Sequence, residues 1–259
     1  MSFARAADGT ALYYEVGGTG DDVLLLIAGQ SNDHHWWDVP RPDFDAVFRT
    51  VVFDHRGTGR SDKPESGYGT RGFAADALAI LDDMGAERAH VYGTSMGGRI
   101  AQWLAADHPG RVQRLVLGCT SPGGPHAVER DAAVRRSLAQ RDAAKARRAL
   151  LELMYSPDWL ATHPGPHHTT GDPDMPPHAR RGHFTASRDH DAWDALPGIT
   201  APTLVLHGTD DVFNPVANAP LIAGRVPGAR LHLIPGARHA YFEEFRAVAG
   251  PLVVDFLCA

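Results

Sequence analysis

The sequence predicts an α/β fold: a mostly parallel twisted sheet of about eight strands with helices on both faces, and a small helical cap inserted after the sixth strand. Three observations carry this expectation. Short β-rich apolar runs alternate with longer helical patterns, as in strand–helix–strand units. Several of the runs are apolar throughout, as expected for strands covered on both faces. The residues with the strongest chemical signature follow directly on such runs, where open α/β sheets bind ligands.

Leu12-Tyr13-Tyr14-Glu15-Val16 reads as an early strand, closed by the turn Gly17-Gly18-Thr19-Gly20. Val23-Leu24-Leu25-Leu26-Ile27 is a continuous apolar run, and Thr50-Val51-Val52-Phe53 is another, ending at Asp54. His90-Val91-Tyr92, Leu115-Val116-Leu117, Thr203-Leu204-Val205-Leu206 and Leu231-His232-Leu233-Ile234 continue the series. A helix is expected over 73–84, with Phe73, Ala77, Leu78, Leu81 and Met84 on one stripe and Gly85 as its stop. A final helix is expected over 243–257, kinked at Pro251. The rhythm breaks from 121 to 196, where a charged helical stretch (127–155) precedes a Pro/His-rich segment (163–178). A structureless loop of that length is unusual, so a helical cap is expected at 121–196, with the core domain at 1–120 and 197–259.

The chain has 259 residues, 43% hydrophobic and 22% charged, with a formal net charge of −6 and no long Lys/Arg run. That argues against a nucleic-acid or membrane-surface partner and for a small-molecule substrate. Cys119 and Cys258 are the two cysteines; a buried small hydrophobe and a tail thiol are expected rather than a disulfide. With no apolar leader at the amino end and no membrane-length apolar run, a cytoplasmic monomer or homodimer is expected.

Gly93-Thr94-Ser95-Met96-Gly97 is the most informative stretch. A strand that turns sharply into a helix forces Ser95 into a sparsely populated backbone region and brings the flanking chain close to itself, which demands glycine at 93 and 97. The hydroxyl is pushed out where a helix amino end supplies N–H groups and positive dipole. His207-Gly208-Thr209-Asp210-Asp211 follows a later strand, and its H-G-x-x-D pattern selects Asp211, with Asp210 as a solvated turn residue. Pro235-Gly236-Ala237-Arg238-His239 follows the last strand. The order Ser95, Asp211, His239 is that of a nucleophile, an orienting carboxylate and a base. Ile27-Ala28-Gly29-Gln30-Ser31 places the N–H of Gln30 beside that of Met96 as a two-donor oxyanion hole. His35, Trp36, Trp37 and Tyr241 are candidate pocket residues, with packing under the cap as the alternative for the two tryptophans. No metal is expected: His167 and His168 lack partners at ligand spacing. No organic cofactor is implied.

On these motifs, with Asp54-His55-Arg56-Gly57-Thr58-Gly59-Arg60-Ser61 matching a D-x-R-G-x-G-x-S turn, the chain resembles the α/β-hydrolase superfamily of the compact cap-bearing bacterial type. It is similar to enol-lactonases and carboxylesterases. The resemblance implies a serine hydrolase of esters, lactones or thioesters acting through an acyl-enzyme. The same triad serves carbon–carbon bond hydrolysis and perhydrolysis, and the fold also serves non-catalytic receptors. Three positions depart from the usual pattern: Ala28 stands for histidine, Gln30 for an apolar or aromatic residue, and Arg238 for the glycine before the histidine.

Overall fold

The computed structural model describes residues 2–259. Eight strands form one sheet: β1 (Ser2–Arg5), β2 (Ala11–Gly17), β3 (Val23–Ile27), β4 (Arg49–Phe53), β5 (Ala89–Thr94), β6 (Val112–Gly118), β7 (Thr203–Gly208) and β8 (Arg230–Ile234). Their order is β1-β2-β4-β3-β5-β6-β7-β8. Only the β1–β2 and β2–β4 pairings are antiparallel; the rest are parallel. The apolar alternation of β3 sends Leu25 and Ile27 to one face and Leu24 and Leu26 to the other, and all four are buried.

Helices cover both faces. The helices are α1 (Arg41–Asp45), α2 (Thr70–Asp83), α3 (Met96–Asp107), α4 (Ala132–Leu138), α5 (Ala143–Met154), α6 (Pro157–Thr162), α7 (Pro177–Arg188), α8 (Asn218–Arg225), α9 (Tyr241–Glu244) and α10 (Arg246–Cys258). Phe73 and Ile80 of α2, Ile100 and Leu104 of α3, and Ile222 of α8 pack on the Leu25 face. Phe44 of α1 and Val253 and Phe256 of α10 pack on the Leu24 face. Helices α4 to α7 follow β6, as the cap expectation requires.

The observed elements differ from the sequence expectations at three points. β1 has too few apolar residues to stand out, and it exists because it pairs with β2 at the sheet edge. The charged stretch is two helices rather than one: Asp142 caps the second by accepting from Ala144 and Lys145, so the chain restarts there. The final helix is also two, because Phe245 leaves α9 before α10 begins. Pro251 is accommodated inside α10. Both cysteines are free, Cys119 buried and Cys258 exposed. Among the described residues, no helix is long and apolar enough to cross a membrane.

Candidate active site

Ser95 joins β5 to α3 with φ 56° and ψ −121°. Hydrogen bonds lock this strained backbone: its N–H donates to Gly118 O (2.9 Å), and its carbonyl accepts from Thr120 Oγ1 (2.7 Å). The glycines are set by close approach. A Cβ on Gly93 would lie 2.2 Å from the carbonyl oxygen of Gly97, and one on Gly97 would lie 2.1 Å from that of Ile27. Among the described non-glycine residues, positive φ occurs at Ser31, Ser95 and Cys119. These follow β3, β5 and β6, so the strain gathers at one edge of the sheet.

Asp211 and His239 meet there although 28 residues separate them. Both are almost wholly buried. The Nδ1–H of His239 donates to Asp211 Oδ2 at 2.7 Å, and the N–H of Asn214 donates to Oδ1 at 2.8 Å. His207 Nε2 lies 3.2 Å from Oδ2 and 2.8 Å from Asn214 O. Burial alone would raise the Asp211 carboxyl, but the two imidazoles and their hydrogen bonds outweigh it and hold it well below the usual range. Nε2 of His239 is enclosed and has no hydrogen-bond partner, Ser95 Oγ included. It is the ring atom left to accept a proton. Phe213 stands edge-on to the ring, with centroids 4.8 Å apart. Asp210 is exposed and accepts from the Thr209 hydroxyl.

Met96 is the first residue of α3, so its N–H has no acceptor within the helix. Gln30 lies half-buried in the loop after β3, whose Ile27 and Ala28 carbonyls abut Gly97. Three side chains brace this loop. Trp36 covers Gly29, where a Cβ would lie 2.6 Å from its ring, and donates to Thr94 Oγ1 at 2.9 Å. His55 donates to Ala28 O at 3.1 Å. His183 of α7 accepts from Ser31 N–H (3.2 Å) and donates to Arg56 O (2.8 Å). Burial pushes His55 down to about 4 and His183 to about 3, so both are neutral near pH 7. Sequence reasoning missed His55, His183, His207 and Asn214 as parts of the site. Only His55 and His207 had a signal, since each sits inside a motif.

Three of the four pocket candidates are buried and one is exposed. Trp37 and Tyr241 are fully buried in the apolar core. Trp37 packs on Tyr92 and Phe242, and the Tyr241 and Tyr92 hydroxyls are 2.8 Å apart. Trp36 packs on Phe242. His35 is exposed and paired with Asp38. Trp37 and Tyr241 thus pack in the core, Trp36 packs against the loop after β3, and His35 makes a surface contact. Arg238, unexpected before the histidine, donates to the carbonyls of Glu152 and Tyr155 and ties the His239 loop to the end of α5.

The Asp54 turn is a structural anchor. Asp54 accepts from the N–H groups of His34 and Arg60, and Arg56 forms a bidentate pair with Asp76 at 2.7 and 2.6 Å. Asp33, His34 and His35 bring ligand-type atoms within 4.8 Å of one another. The Nδ1 atoms of the two histidines are already engaged by Asp54 and Asp38. A groove of about 1160 Å³ runs between α1, the segment after α6 and α10, and Ser95, Asp211 and His239 do not line it.

Comparison with known proteins gives the family. A protein of Caulobacter sp. (strain K31), provisionally named carbamate hydrolase RutD, is 31% identical over 259 residues, covering 95% of each chain. A non-heme haloperoxidase of Rhodococcus erythropolis is 29% identical over 266 residues, covering 92% of this chain and 93% of its own. The enol-lactonase of Burkholderia xenovorans LB400 superposes with a TM-score of 0.88 at 25% identity, each chain covered completely. The sequence pattern of the alpha/beta hydrolase fold matches residues 22–245, and on that match the chain belongs to the α/β-hydrolase fold family.

Proposed function

We propose that this chain is a serine hydrolase that cleaves an ester, lactone or thioester of a small to medium, partly apolar substrate, using Ser95, His239 and Asp211. The observation that carries this reading is the His239–Asp211 bond, with Nε2 left unpartnered. Ser95 Oγ attacks the substrate carbonyl as His239 Nε2 takes its proton. The N–H groups of Met96 and Gln30 receive the oxyanion; losing one such donor costs about 3–4 kcal/mol of transition-state stabilisation. The imidazolium returns the proton to the leaving group, and the acyl-enzyme forms on Oγ. The same base then activates water, which releases the acid and restores the serine. Asp211 holds the Nδ1–H tautomer and stabilises the imidazolium. The hydroxyl–imidazole hydrogen bond, absent here, is expected to tighten when substrate binds. In this reading residues 121–196 form the cap over a core of 1–120 and 197–259.

A panel of aryl esters, lactones, thioesters, carbamates and vinylogous diketones tests the reading, together with fluorophosphonate labelling. Wild type should turn over at least one carboxylic ester class and label at Ser95; Ser95→Ala should do neither while keeping its fold. Turnover of esters by a clean Ser95→Ala preparation would falsify the assignment. Hydrogen peroxide added to the ester assay separates hydrolysis from perhydrolysis, the chemistry toward which the haloperoxidase relative points.

A further inference from the structure

Two arginines, one on the helix that begins after Ser95 and one against Phe213, have no carboxylate partner. Arg99 lies one turn after Ser95 on α3, and its N–H reaches back to Ser95 O at 3.3 Å. Its side chain donates to the carbonyl of Ser187 and to Ser121 Oγ (3.0 Å), both neutral acceptors. Its Nε is enclosed and has no partner. Arg130 belongs to the segment leading into α4, and its guanidinium lies 4.3 Å from the centroid of the Phe213 ring. Phe213 in turn stands against His239. Among the described residues, neither arginine has a carboxylate oxygen within 4.0 Å, whereas Arg56, Arg71 and Arg246 all do.

Both arginines are half-buried, and a charge partly withdrawn from water without a counter-charge is costly, a cost that neutral hydrogen bonds offset only in part. The electrostatics agree: burial, then the neighbouring Arg130 charge, pushes Arg99 down to about 10, and burial lowers Arg130 as well. The acids nearest in effect do not satisfy the pair. Glu129 is exposed, and Asp211 is committed to His239 and His207. A hydrolase that needed only an apolar ester would be better served by neutral side chains at both positions.

We infer that Arg99 and Arg130 form an anion subsite beside Ser95 and His239, so that the substrate carries a free carboxylate in addition to the bond that is cleaved. The inference rests on the hydrolase reading for its location and adds the chemical class. A planar guanidinium matches a carboxylate edge-on through two parallel N–H bonds. The Phe213 ring gives the aliphatic linker an apolar surface next to the charge.

The test compares 4-nitrophenyl hydrogen glutarate, an anionic ester, with its neutral counterpart 4-nitrophenyl pentanoate. Wild type should prefer the anionic ester in kcat/KM by about 10- to 100-fold, the range of a charge-assisted hydrogen bond. Arg130→Gln and Arg99→Gln should each lower the ratio of the two values by about tenfold or more, and Arg→Lys at either position should restore part of it. Glutarate should inhibit wild type competitively, and pentanamide should not; this arm needs no variant and stands even if a substitution unfolds the chain. A wild-type preference for the neutral ester, or ratios unmoved in folded Gln variants, overturns the subsite while leaving the hydrolase reading intact. Calorimetric binding of glutarate to Ser95→Ala reports on the subsite even if no ester is turned over. Tighter binding of inorganic phosphate than of glutarate would overturn the carboxylate assignment.

Discussion

Ser95 carries backbone strain that its neighbours enforce. At φ 56° and ψ −121° a Cβ is disfavoured, and such a residue costs about 1–3 kcal/mol. The bonds to Gly118 O and from Thr120 Oγ1 hold it there. This reverses the usual ranking of alanine over glycine. Ser95→Gly, which can adopt the conformation freely, should be more stable than Ser95→Ala by about 1 kcal/mol after allowing for the greater freedom of glycine in the unfolded chain. Both variants should be inactive. Urea denaturation of the two measures the difference; an alanine variant as stable as the glycine variant would mean that the turn stores no strain. Glycine at 93 and 97 was legible from spacing, because any strand–turn–helix this tight brings backbone to backbone. The braces at Thr120 and Gly118 were not, since nothing in their sequence neighbourhood marks them.

Among the elements, the loop after β3 is the best supported part of the site. Trp36, His55 and His183 reach it from three separate segments, and His183 comes from α7 in the cap. The Asp54 turn beside it is anchored to α2 through the Arg56–Asp76 pair, of which both side chains are about 95% buried or more. Asp76→Asn would leave the Arg56 charge buried with only the half-exposed Asp8 as a partner. It should cost about 3–5 kcal/mol of stability, the penalty of breaking a buried pair on one side. The corresponding change at Asp107, whose partner Arg71 is exposed, should leave the urea midpoint near that of wild type. Equal effects at the two sites would show that burial does not govern these pairs.

The behaviour of the whole molecule with pH follows from its enclosed histidines. Burial holds His55 at about 4 and His183 at about 3, and His190 well below its ordinary value. An unfolded histidine titrates near 6.5. Between about pH 6.5 and 4 the unfolded chain therefore takes up protons that the folded chain refuses, and stability falls as pH falls, by up to about 1.4 kcal/mol per pH unit for each such residue. His34 acts in the opposite sense: burial lowers it, but Asp54 more than compensates and raises it. Glu243, which burial raises to about 7, also opposes the decline, whereas burial lowers His90 and His167 as well; five lowered histidines against these two groups set the net sign. Unfolding midpoints should be level from pH 8 to about 7 and decline steeply toward pH 4. Replacing His183 with glutamine should flatten that decline, even though it removes native hydrogen bonds and lowers stability at pH 8. A profile of unchanged slope would rule out this origin. Protonation of His183 Nδ1 would also break its bond to Ser31 N–H, so in the folded chain the loop after β3 should loosen only as pH falls toward about 3.

The chain by itself determined the sheet, the glycine-bracketed serine and the order of the three candidate catalytic residues. Each of these is written locally, as an apolar run, a turn that excludes side chains, or a residue just past a strand. Tertiary structure decided which histidines are enclosed, that Trp37 and Tyr241 serve the core, and that Arg99 and Arg130 lack a carboxylate partner. Those properties depend on what lies opposite a side chain in space. His183 and Ser31 are 152 residues apart, and no periodicity in the sequence encodes a contact made across that distance.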